Sequence, residues 1–122
     1  MDLSGTRMAL MVITMATTLS LAAAWVSAAN HVAADEESSA FLAENAAAMS
    51  KMMAAMAVKS AGDVDKDFVA TMVPHHQGAI EMAQAELRYG HNEQLRRLAQ
   101  EIIVAQTQEI AVMRQAIRDS NK

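Results

Sequence analysis

An all-α, antiparallel three-helix bundle is the fold this sequence predicts, and three observations predict it. The 122 residues include one Pro and four Gly, too little material for the turns of a β-fold. From about Ser38 to Ser60 the chain is rich in Ala, Met, Glu and Lys, all good helix formers, and no stretch anywhere alternates with a period of two. Gly62 and Gly90 fall where helices should end.

Composition removes several function classes. Fourteen acidic against ten basic residues give a net charge of −4, which lacks the basic field that nucleic-acid binding needs. No nucleic-acid partner is therefore expected. The absence of Cys excludes disulfide scaffolds, thiolate zinc sites and thiol catalysis. Eleven Met in a chain with 3% aromatic residues invert the usual core composition.

Residues 1–28 read as a secretory signal peptide. Arg7 precedes an apolar segment, and Val26-Ser27-Ala28 supplies small residues before a cut at Ala29. The domain is then periplasmic or secreted. An uncleaved anchor is the alternative, since residues 8–26 are long enough to span a bilayer if tilted, and only then is the membrane a partner. In an oxidising compartment free thiols become disulfides, so a soft sulfur donor is better supplied by Met.

Residues 29–37, small, polar and acidic, are expected to form a flexible leader to a helical domain over 38–122. The first helix is predicted over 38–60, with Ser38 or Ser39 as N-cap. Asp63, Asp65 and Asp67 open a second helix at the positive end of its dipole, and it runs to about Tyr89. Asn92 caps a third, with Glu93 in its first turn and Arg114 and Arg118 towards its end. Short connections make the three antiparallel. Their thin apolar faces bury a small core, so a fourth helix from the N-terminal segment, a homodimer or a bound metal would help hold them.

Three constellations carry chemistry. Met49, Met52, Met53 and Met56 form one stripe on the first helix, within a sector of roughly 100°. A hydrophobic seam has the same spacing. Uniform use of Met, which specifies packing poorly, favours ligation, because thioethers are soft, neutral donors selective for Cu(I) or Ag(I). On the second helix Met72, His76, Ala79 and Ala83 share a face, bordered by His75 and Met82. Pro74 costs a mid-helix position about 3 kcal/mol, which is understandable if a kink aims the imidazoles inward. His75 and His76 diverge by about 100°, so one ligates while the other serves a neighbouring or supporting role.

On the third helix Leu95, Leu98, Ile102, Ile110 and Ile117 mark the inward stripe, and Gln106, Glu109 and Met113 lie on it. Polar groups facing a core are costly unless paired. Glu109 is expected to orient an imidazole of the histidine pair or to ligate directly. His31 and His91 read as exposed, with His31 and the new α-amino group a lesser candidate for Cu(II) capture. The chain has no Glu-x-x-His pair, no His-Glu-x-x-His, no Gly-rich phosphate loop and no nucleophile elbow, so no enzyme is expected.

The run Asp65-x-x-Phe68-x-x-x-Met72-x-Pro74-His75-His76-x-x-Ala79-x-x-Met82-Ala83, followed by Ala99-x-x-Ile102-x-x-x-Gln106-x-x-Glu109-Ile110-x-x-Met113, resembles the bacterial domain-of-unknown-function family 305 and its CopM-like copper-binding members. The resemblance covers about half the chain. It implies a ferritin-like helical domain, exported, that binds copper and silver in envelope metal resistance, with Met72, His75, His76, Met82 and Met113 as ligands. The expected function is sequestration or buffering of Cu(I) without turnover. The rival is a metal-independent envelope chaperone or adaptor gripping apolar partners with a Met-rich groove, whose signature is an exposed Met face on the first helix.

Overall fold

The structure is a computed structural model that describes the backbone of residues 4–120 and the side chains of residues 30–120. The expected signal segment and its cut after Ala28 lie outside the residues whose side chains are described. Among the described residues no helix is long and apolar enough to cross a membrane.

The chain is all-α: α1 (Ser4–Met56), α2 (Val64–Tyr89) and α3 (Glu93–Ser120), with no strand among the described residues. It divides into two compact units, Met1–Glu37 and Ser38–Lys122. Of the first, α1 is the described element, and its side chains over 30–37 are exposed. Everything below concerns the second.

Two boundaries differ from the sequence reading. Residues 30–37, expected as a leader, are helical, because neither Gly nor Pro occurs between Asn30 and Met56 and a Ser cap ends nothing by itself. At its other end α1 stops at Met56 rather than near Ser60. The first turns of α2 capture the segment that follows. Asp67 accepts a hydrogen bond from the Ala61 N–H and one from the Ser60 hydroxyl, each at 2.6 Å. Those bonds hold the Asp67 carboxyl below its ordinary range, the Ala61 amide contributing most. Gly62 then turns the chain at φ +76, a left-handed conformation that costs a glycine nothing.

Asn92 caps α3 as expected, and of the three acidic residues that open α2 it is Asp63 that caps it. Asp63 Oδ1 accepts from the Asp65 and Lys66 amides at the start of α2. Asn92 Oδ1 does the same for Gln94 and Leu95 at the start of α3. Arg96 closes the turn between them by donating to the carbonyls of Leu87 and Gly90.

α2 is the middle helix. Its Pro74, Gln77, Gly78 and Glu81 lie against Ala48, Lys51, Met52 and Ala55 of α1, with only about 50 Å³ between them. Gly78 makes this approach possible: a Cβ there would stand 2.8 Å from Met52 Sδ and 3.0 Å from Met52 Cβ. Lys51 pairs with Glu81 at 2.6 Å, and Glu44 accepts from Arg88 and from the Tyr89 hydroxyl at 2.8 Å. α3 packs antiparallel along another side of α2. The buried core is Ala48, Ile80, Ala83, Ala85, Ala99 and Ile110, as small as an alanine-rich sequence predicts.

Candidate metal centre

The register of α2 against α3 places two pairs of residues one helical turn apart. His76 faces Glu109 across the helix pair, Nε2 to Oε2 at 2.8 Å. Met72 lies four residues before His76, and Met113 four residues after Glu109. On antiparallel helices these are equal steps in the same direction, about 6 Å each. All four line one cavity of about 520 Å³, together with Phe68, Ala105, Gln108 and Val112.

His76 is 9% exposed, the single buried polar residue among those described. Its Nδ1 is buried without a hydrogen-bond partner. With its proton on Nε2 the ring donates to Glu109, and Nδ1 is then a lone pair. A carboxylate that fixes the tautomer and plane of an imidazole is the usual support of a metal-ligating histidine. Met72 and Met113, half-buried, add two neutral thioethers, and Glu109 stands more exposed at the mouth. This donor set fits a soft monovalent ion. Among the described residues no three His, Asp or Glu side chains come together.

Met72, His76, Glu109 and Met113 therefore line one cavity, and the other sequence candidates lie elsewhere. His75 is exposed, carried about 100° around the helix from His76. Met82, six residues or about 9 Å beyond His76, lines a second groove of about 290 Å³ with Ala79, Ala83, Glu86, Leu95, Leu98, Ala99 and Ile102. On α1, Met52 packs on Gly78, and Met56 is half-buried at the helix end. Met49 and Met53 are 50% and 61% exposed. The α1 stripe cannot join His76 because Gly78, its contact on α2, is turned about 200° from His76. Pro74 sits on that same α1 side within a continuous α2 and lines no part of the His76 cavity. Gln106 is half-buried, its Oε1 without a partner, and His31 and His91 are exposed.

Phe68, Gln108 and Val112 complete the cavity and were not among the candidate ligands. Phe68 had a signal in its i, i+4 spacing to Met72, and Val112 in its i+3 spacing to Glu109.

The chain belongs to the family described as "Domain of unknown function (DUF305)", whose sequence pattern matches residues 8–117. No curated protein matches the chain.

Proposed function

We propose that this chain is an exported copper-binding protein that sequesters and buffers Cu(I) in the cell envelope, with Ag(I) as a surrogate, and so contributes to copper resistance. One observation carries the proposal. Met72, His76 and Met113 line a single cavity, with Glu109 bonded to the His76 ring from the neighbouring helix. Two thioethers and one imidazole are a neutral, soft set that binds a monovalent ion without releasing protons from sulfur. Two antiparallel helices fix them, so holding the ion also stabilises the α2–α3 pair through linkage. The proposed role is stoichiometric retention, with no turnover.

X-ray absorption on the protein loaded anaerobically with Cu(I) tests this. The expected spectrum shows sulfur scatterers with one nitrogen scatterer, the latter lost in His76→Ala. Native mass spectra without any retained copper would overturn the proposal.

The second reading, a metal-independent adaptor, draws support from the exposure of Met49 and Met53, which present flexible apolar side chains to solvent on α1. The same mass spectra separate the two, since the adaptor retains no ion.

A further inference from the structure

Met49 and Met53 are 50% and 61% exposed, one turn apart on α1. The other methionines among the described residues, Met52, Met56, Met72, Met82 and Met113, are half-buried. Met52 gives the sharpest contrast, because it lies between the exposed two in sequence. Its Sδ packs on Gly78, 2.8 Å from where a Cβ would stand, beside a space of only about 50 Å³. Burial does not explain Met at 49 and 53. Leu has much the same helix propensity and apolar character, and what Met adds is a sulfur lone pair open to an electrophilic oxidant.

We infer that Met49 and Met53 are an oxidant-scavenging pair, the thioethers of the helical domain that a two-electron oxidant, a hypohalous acid or a peroxide, converts to sulfoxide first. With hypochlorous acid, the sulfur lone pair attacks the oxygen, and the S–O bond forms as the O–Cl bond breaks. Sulfur gives up two electrons, chlorine leaves as chloride, and the hydroxyl proton passes to water. Two thiols reverse the step, joining in a disulfide while the oxygen leaves as water. This chain carries no Cys, so those thiols belong to a separate sulfoxide reductase.

The fold makes this oxidation harmless at these two positions and damaging at others. A sulfoxide is polar, and at an exposed position it is hydrated and breaks no packing. On Met52 the added oxygen would press into the contact with Gly78. On Met72 or Met113 it would replace a soft sulfur donor by a hard oxygen in the His76 cavity, which Met49 and Met53 do not line. That sparing of Met72 and Met113 protects copper retention rests on the function proposed above. The order of oxidation does not, since it follows from exposure alone.

Stepwise addition of hypochlorite to the whole, copper-free chain, with peptide fragment mass spectra after each step, tests the inference. Met49 and Met53 are expected to gain oxygen at doses that leave Met52, Met72 and Met113 unmodified, with the helical circular dichroism unchanged. In the urea-unfolded chain the order is expected to disappear. Met49→Leu/Met53→Leu, at two exposed positions, is expected to keep its helicity and to raise the sulfoxide fraction at Met72 and Met113 at equal dose, because oxidant passes to the remaining thioethers. Oxidation of Met52, Met72 or Met113 as early as the exposed pair, the same order in the unfolded chain, or unchanged fractions at Met72 and Met113 in the double variant overturns the inference. An intact order in a chain that retains no copper overturns the copper proposal alone.

Discussion

Glu109 on α3 accepts a hydrogen bond from the His76 ring on α2 at 2.8 Å, and both residues line the cavity that Met72 and Met113 also line. In the proposed site Glu109 is a positioning residue. Glu109→Ala frees the ring and is expected to weaken Cu(I) binding by about tenfold or more, the usual cost of losing such support. Glu109→Gln still accepts from Nε2–H through its amide oxygen and is expected to restore most of that loss. Competition with a Cu(I) chelator measures both. Equal weakening by the two variants would assign Glu109 to the ion itself rather than to the ring.

The histidines should differ sharply. His75 is exposed and borders no part of the cavity. His75→Ala is expected to change Cu(I) affinity at the His76 site by less than about twofold, well inside 1.4 kcal/mol per decade of binding constant. The double variant Met49→Leu/Met53→Leu is expected to be equally silent there. A large loss in either would mean that the exposed donors take part.

Gly78 offers a test of the α1–α2 packing. In an exposed helix interior Gly→Ala would stabilise by about 1 kcal/mol. Here the new Cβ meets Met52 Sδ and Cβ at 2.8 and 3.0 Å, an overpacking that costs about 1–3 kcal/mol. Gly78→Ala is therefore expected to destabilise by about 1 kcal/mol in urea unfolding. In a Met52→Ala background the same change is expected to stabilise, and the reversal of sign measures the contact.

Acid stability should report the Glu44 clip between α1 and α2. Hydrogen bonds from Arg88 and then Tyr89 hold the Glu44 carboxyl below its ordinary range. Its contribution is therefore fully present above the unfolded Glu pKa of about 4.3 and is lost as pH falls through the lower folded value. Thermal melts of Glu44→Gln are expected to lie below wild type at pH 7 and to converge on it in strong acid. Some acid dependence remains in the variant, because Asp67 is lowered in the same way by Ala61 and Ser60. At the alkaline end, the Glu44 bond raises Tyr89, so the part of stability tied to its neutral phenol persists to about pH 10 and fades above its folded value.

Much of this was legible from the chain alone, for local reasons. Asp63, Asn92 and Gly90 bound α2 and α3 because cap chemistry is written in single residues. The wheel that set Met72 and His76 on one face, and Glu109 with Met113 on another, needed only the antiparallel register to bring them together. The choice between His75 and His76 was not legible, since it depends on which side of α2 receives α3. Nor was the fate of Met52. Its i, i+3 pattern is the same for a ligand and for a side chain against a glycine, and Gly78 lies 26 residues away in sequence. The early end of α1 was hidden for a similar reason, because Asp67, a residue of the next helix, draws Ser60 and Ala61 out of it.

The most direct test of the account is equilibrium competition for Cu(I) between a chromophoric chelator and three chains: wild type, His76→Ala, and Met72→Leu/Met113→Leu. The account predicts one tight site in wild type, a loss of at least tenfold in each variant, and unchanged helical content in both. Identical affinities across the three would place copper away from this cavity and contradict it.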